Sequence, residues 1–184
     1  MMHFKKMNLL EADVDYICHQ VNCQGKMNSG VAKAIRERWP INFTTYISYY
    51  NTNIEKNKGM NTLLGDILFV NPNDYEPKTW PEAPIIINMF GQFDYGYDGK
   101  RYTSYDAFDD CLQKIKETVP KGKKIAFPYK IGCDRGGGKW NIIFGLIRNA
   151  LSEDYDITFC YLEEDAWIKT RNYLTFYVDE WEDK

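Results

Sequence analysis

A chain of 184 residues with a formal net charge of −3 has the size of one ordinary domain, with room for a real core and without a nucleic-acid-coating basic surface. Cys18, Cys23, Cys111, Cys133 and Cys160 are odd in number and scattered, with no Cys-x-x-Cys, which argues against a disulfide framework or a zinc site and for a reducing, cytoplasmic setting. No apolar run approaches the roughly 18 residues of a membrane span, and the start Met1-Met2-His3-Phe4-Lys5-Lys6 has no long apolar stretch behind it. These limits favour a small-molecule partner, with neither membrane nor DNA expected.

In chain order, residues 8–12 lead into Tyr16-Ile17-Cys18-His19-Gln20-Val21-Asn22, a predicted strand whose last residues turn polar. Polar side chains at a strand's carboxyl end lie where open α/β sheets bind ligands. A glycine-containing loop, residues 23–30, opens on a predicted helix over 31–39, with Val31, Ala34, Ile35 and Trp39 on one face, Ser29 as N-cap and Pro40 closing it. A second helix is expected over 42–58, a strand over 65–70, and a Pro-rich surface loop over 71–84. Residues 83–89 form an apolar run suited to a strand buried on both faces. The Gly/Tyr/Asp stretch 93–102 reads as a mobile loop that could fold over a ligand. Ser104 caps a predicted helix over 105–118, whose stripe is Phe108, Cys111, Leu112, Ile115 and Val119.

A short strand at 124–127 then enters Phe127-Pro128-Tyr129-Lys130-Ile131-Gly132-Cys133-Asp134-Arg135-Gly136-Gly137-Gly138-Lys139-Trp140, followed by a predicted helix over 141–147. Strand, glycine-rich loop and helix in that order allow several N–H groups to converge on phosphate oxygens at a helix N-terminus. The same glycines are also ordinary turn material. No Gly-Lys-Ser/Thr follows, so this is not a P-loop, and the Gly-x-Gly-x-x-Gly of a dinucleotide fold is absent. Residues 156–162 supply a last strand, and the acidic remainder contains 173–178 as a candidate edge strand. Strands alternating with helices predict a three-layer α/β domain.

Two stretches together resemble a known family. His19-Gln20-Val21-Asn22-Cys23-Gln24-Gly25-x-Met27-x-Ser29-Gly30-Val31-Ala32, with Pro128-x-x-Ile131-Gly132-Cys133-x-x-Gly136-Gly137-Gly138-x-Trp140 about a hundred residues later, resembles the macrodomains. More narrowly it is similar to the branch of the yeast-type ADP-ribose 1″-phosphate phosphatase and the terminal ADP-ribose protein glycohydrolase, and within it to phage and bacterial members. The resemblance runs over about residues 8–162 and implies a single macrodomain across 1–184, α/β with three α/β/α layers and a mixed central sheet, residues 163–184 being an extension.

That resemblance implies ADP-ribose, or a derivative, at the carboxyl edge of the sheet, with an ADP-ribosylated protein as a further partner and no cofactor or metal. Asn8 and Leu9 would meet adenine, Asn8 standing where the family often has Asp, and Tyr161 and Leu162 would line the same pocket. Ser29, Gly30 and Val31, with Met27 beside them, would form one phosphate loop. Pro128, Ile131, Gly132, Cys133, Arg135, Gly136, Gly137 and Gly138 would form the other. Gln20 and Asn22 would face the distal ribose.

For catalysis the glycohydrolase relative uses a Lys at the end of the central strand, but here Asn88-Met89-Phe90-Gly91-Gln92 contains none. Its loop Asp aligns with Gly136, two positions after Asp134. The phosphatase relative's His and Asp point instead to His19 and Asp134 as the catalytic pair, with His19 a strand histidine and Asp134 a turn residue as the alternative. Two functions stay open: a hydrolase acting at the 1″ position of ADP-ribose, and a non-catalytic module that binds ADP-ribose or a nucleotide signal.

Overall fold

The computed structural model describes residues 1–57, 61–75, 83–163, 165, 168 and 169. Among these, six strands form one mixed sheet: β1 (Met2–Lys6), β2 (Tyr16–Asn22), β3 (Ile67–Val70), β4 (Ile85–Gln92), β5 (Lys124–Pro128) and β6 (Asp156–Tyr161). The strand order is β1-β6-β5-β2-β4-β3, every neighbouring pair being parallel except the antiparallel β3 and β4. Four helices flank it: α1 (Gly30–Arg38), α2 (Pro40–Lys56), α3 (Tyr105–Thr118) and α4 (Trp140–Leu151).

Alternation along β2 explains the layering. Ile17 joins Ile35 and Trp39 beneath α1, and Val21 joins Tyr46 beneath α2. Cys18, on the opposite face, enters the larger core of α3 and α4 with Phe108, Leu112, Ile143 and Ile147. The sheet is therefore the middle of three layers. The stripe read for α3 is buried as expected, and the Ser104 hydroxyl accepts from Ala107 N–H at 3.2 Å. β4 is buried on both faces over nearly its whole length, as its unbroken apolar run implied.

Three boundaries differ from the sequence reading. β1 was not foreseen, because an edge strand of five residues needs only alternate apolar side chains: Phe4 stacks on Phe159 at 4.9 Å while Lys5 and Lys6 face outward. Pro40 starts α2 rather than merely closing α1, its missing N–H costing nothing in a first turn. Residues 93–102 form a tied excursion rather than a free loop. Gln92 Nε2 donates to Asp94 O at 2.8 Å, Tyr102 O–H to Asp98 at 3.0 Å, and Gln24 Nε2 to Phe93 O at 3.0 Å. The expected edge strand at 173–178 and much of the 71–84 loop lie outside the described residues.

Candidate functional site

The carboxyl ends of β2, β4 and β5 open into a cleft of about 730 Å³. Its walls are the end of β2 from His19 to Asn22, the segment from Lys26 to Ala32, Gln92 with Tyr95, and the glycine-rich segment from Pro128 to Gly136 with Gly138 and Trp140. A register shift between Gln20 and Asn22 marks the point where β2 leaves regular pairing with β4 and enters this cleft.

Asn22 organises the first loop. Its Nδ2 donates to Lys26 O at 2.8 Å, and its Oδ1 accepts from Gln24 N–H at 2.9 Å and Lys26 N–H at 3.3 Å. Tyr46 O–H donates to the Asn22 carbonyl at 2.7 Å. The amide expected at the distal ribose is thus engaged in folding residues 22–26 back on themselves. That turn delivers the chain to Ser29 and then to Gly30, which begins α1 at φ +55°. Ser29 occupies the N-cap position, but its hydroxyl makes no capping bond. Among the described residues the N–H groups of Gly30, Val31 and Ala32 have no acceptor, and Ser29, Gly30, Val31 and Ala32 all line the cleft.

The second loop stands opposite. Cys133 N–H donates to Lys130 O, Gly137 N–H to Asp134 O and Gly138 N–H to Gly132 O, at 2.9 to 3.0 Å. Among the described residues, the N–H groups of Gly132, Asp134, Arg135 and Gly136 donate to no protein acceptor. Four N–H groups without an acceptor on one short loop are the raw material of an anion-binding nest. The glycines are needed largely for packing. A Cβ on Gly138 would lie 2.8 Å from Gly132 O, one on Gly137 2.6 Å from Lys100 O, and one on Gly136 would run into the Thr103 hydroxyl. A side-chain relay fixes the loop to the sheet: Gln20 Nε2 donates to Gln92 Oε1 at 2.5 Å and to Thr103 Oγ1 at 2.9 Å, and Thr103 donates to Gly132 O at 2.8 Å.

His19 is 1% exposed, and its Nε2 lies 2.7 Å from Asn88 Oδ1. That oxygen also accepts from Asn42 Nδ2 at 3.0 Å, while Asn88 Nδ2 donates to Asn42 Oδ1 at 2.8 Å. The amide pair fixes Asn88 Oδ1 as an acceptor, so the proton of neutral His19 sits on Nε2. Burial pushes the imidazole down from the usual 6.5 to about 4, the Asn88 bond opposing it. His19 Nδ1 is buried without a partner. Asp134 is exposed on the cleft wall, and no hydrogen bond joins it to His19. Burial raises the Cys133 thiol to about 11 and the Cys23 thiol to about 12, so neither is a thiolate near neutrality. Lys26 and Arg135 bring positive charge to the rim, the Arg135 guanidinium resting 4.3 Å over the Tyr97 ring.

Of the residues singled out from sequence, His19, Gln20, Asn22, Met27, Ser29, Gly30, Val31, Pro128, Ile131, Gly132, Cys133, Asp134, Arg135, Gly136 and Gly138 all line the one cleft. Five are not on its wall. Gly137 turns toward Lys100, and the Asn8 side chain accepts from Leu10 N–H at 3.1 Å. Leu9 packs among Ile17, Ile35 and Trp39, Tyr161 stands edge-on behind Tyr129, and Leu162 is 70% exposed. Sequence reasoning missed Lys26, Gln92, Tyr95, Tyr129 and Lys130 as wall residues. The last two lie inside the glycine-rich motif and were legible there. Gln92 and Tyr95 arrive only through the β4 register and the tied excursion. Among the described residues no group of three His, Cys, Asp or Glu side chains is placed to hold a metal, and no helix is long and apolar enough to cross a membrane.

No protein-family model matches the chain, and no curated protein matches it in sequence. Solved structures do resemble it. The macrodomain of Mycobacterium tuberculosis DarG is 23% identical, with a TM-score of 0.65 over 87% of this chain and 97% of that one. The Thermus aquaticus DarG macrodomain is also 23% identical, with a TM-score of 0.63 over 89% of this chain and 99% of that one. The chain has the macrodomain fold. Thermosipho africanus DarTG in complex with ADP-ribose, 15% identical, superposes with a TM-score of 0.66 over 89% of this chain and 42% of that longer one. At these identities the likeness is one of fold and does not single out the phosphatase and glycohydrolase branch that the motifs resemble.

Proposed function

We propose that this macrodomain-fold chain binds ADP-ribose or an ADP-ribose derivative, with the diphosphate between the α1 N-terminus and the glycine-rich loop. One observation carries the reading: both loops that wall the one cleft carry main-chain N–H groups without an acceptor among the described residues, with Lys26 and Arg135 beside them. Donors on two sides suit an anion with oxygens on two sides, which a diphosphate has and a single phosphate has less of. The ADP-ribose in the Thermosipho africanus DarTG structure supports the same ligand for the shared fold. An ADP-ribosylated protein would present the same group. Calorimetric titration with ADP-ribose, AMP and ribose 5-phosphate tests the proposal. Tighter binding of ADP-ribose than of either fragment is expected, and no heat from any of the three rejects it.

A second reading, hydrolysis at the 1″ position, is favoured by one feature, the exposed Asp134 carboxylate on the wall beside the free N–H groups. In that reading Asp134 takes a proton from an attacking water and returns it to the departing oxygen, the loop N–H groups keeping the diphosphate in place. His19, buried and neutral, would act as a positioning group rather than as the base. Phosphate release from ADP-ribose 1″-phosphate, and ADP-ribose release from modified protein, decide it. Binding without either product leaves a reader of ADP-ribose.

A further inference from the structure

Lys130 is the only non-glycine residue at positive φ among the described residues, at +58°. It lies at the centre of the turn that launches the glycine-rich loop, between the Ile131 N–H bond to Pro128 O and the Cys133 N–H bond to Lys130 O. A lysine has no intrinsic preference for that backbone, so something must hold it there.

The holding group comes from beyond β6. Asp165 forms an ion pair with the Lys130 ammonium, and both its oxygens lie 3.0 Å from Tyr129 O–H. It is itself fixed, because its Oδ1 accepts from Ile168 N–H at 3.1 Å, its carbonyl accepts from Lys169 N–H at 3.0 Å, and Ile168 is fully buried. An ordinary exposed lysine–carboxylate pair contributes little. This carboxylate differs in gripping two consecutive residues at the one left-handed lysine of the cleft wall.

We infer that Asp165 is a positioning residue for the glycine-rich loop, holding Tyr129 and Lys130 so that the acceptor-free N–H groups of Gly132, Asp134, Arg135 and Gly136 keep their place on the cleft wall. The inference rests on the binding proposal above for its consequence, and on geometry alone for the loop. Asp165 touches no ligand in this account; it acts through the turn.

The test compares the wild type with Asp165→Ala, and with Asp165→Asn as the closer replacement should the first fail to fold. Two quantities are read: amide hydrogen exchange of Ile131, Cys133, Gly137 and Gly138, whose N–H groups are bonded within the loop, in the ligand-free protein, and ADP-ribose affinity by calorimetry. Faster exchange confined to that loop is expected, with affinity about fivefold weaker, the factor that a left-handed non-glycine backbone represents. Tyr129→Phe combined with Asp165→Ala should be less damaging than the product of the two single effects, since both act on one contact. Unchanged exchange in the loop overturns the inference, as does faster exchange with unchanged affinity. A wild type that binds no ADP-ribose counts against the binding proposal alone, and exchange then decides the role of Asp165.

Discussion

Burial keeps His19 neutral against the opposing pull of its Asn88 hydrogen bond, and that has a measurable cost in acid. The folded protein holds the imidazole near 4 against the ordinary 6.5, so between those values the unfolded chain takes a proton that the folded chain refuses. Stability from this group is complete above about 6.5 and is lost as the pH falls toward 4. At about 1.4 kcal/mol per pH unit, the full displacement corresponds to about 3 kcal/mol. The comparison is with His19→Leu, which does not titrate and leaves Asn88 Oδ1 its bond from Asn42. His3, the second histidine of the chain, is present in both proteins and cancels. Urea unfolding at half-unit intervals from pH 7.5 to pH 4.5 should show the wild-type advantage over the variant shrinking with acid, mostly below pH 6.5. A difference that stays flat over that range refutes the reasoning, and so does an imidazole resonance of His19 that titrates near 6.5. The same argument expects any hydrolytic rate to lack a His19 limb around neutrality.

Gly137→Val should destabilise the fold by about 2–4 kcal/mol in thermal unfolding, since a branched residue at φ +63° would also meet the Lys100 carbonyl. Its effect on ADP-ribose binding should follow from that loosening rather than from blocking the cleft. Thr103→Val removes both the acceptor of Gln20 Nε2 and the donor to Gly132 O, at a cost of about 1–3 kcal/mol, read as a lowered urea midpoint with unchanged slope. Arg135→Ala should weaken ADP-ribose binding about tenfold, with most of the loss disappearing at high salt; a salt-independent loss would mean that Arg135 acts by stacking on Tyr97.

The parts of this molecule that were legible in sequence are those where local pattern and burial agree. The α3 stripe, the doubly buried β4 and the two glycine-bearing loops at strand ends could each be read from a dozen residues. Pattern fails where a residue's partner is distant in sequence. Phe4 and Lys5 make a strand only because β6 lies alongside, and Gln92 reaches the cleft wall only through a register shift opposite Asn22. The side chains of Gln20 and Asn22 looked like ligand contacts because they end a strand. Both do line the cleft, and both also bond within the protein, to Thr103, Gln92, Lys26 and Gln24.

Those internal bonds bear on what recognition in this cleft depends on. Asn22, Gln20 and the His19–Asn88–Asn42 cluster are bound to other protein groups, so the donors left facing the cleft are mainly main-chain N–H groups and the cations of the rim. Short of a proline, substitution does not delete main-chain donors; it moves them. Substitutions that shift the loops, at Thr103, Gly137 or Asp165, should therefore impair binding as much as the loss of a rim cation does. Truncating the exposed ring of Tyr95 on the cleft wall should remove contact area while leaving the main-chain donors in place. On the proposed reading, diphosphate recognition is encoded in the path of the backbone, and the glycines of the loop are packed too tightly to accept a Cβ.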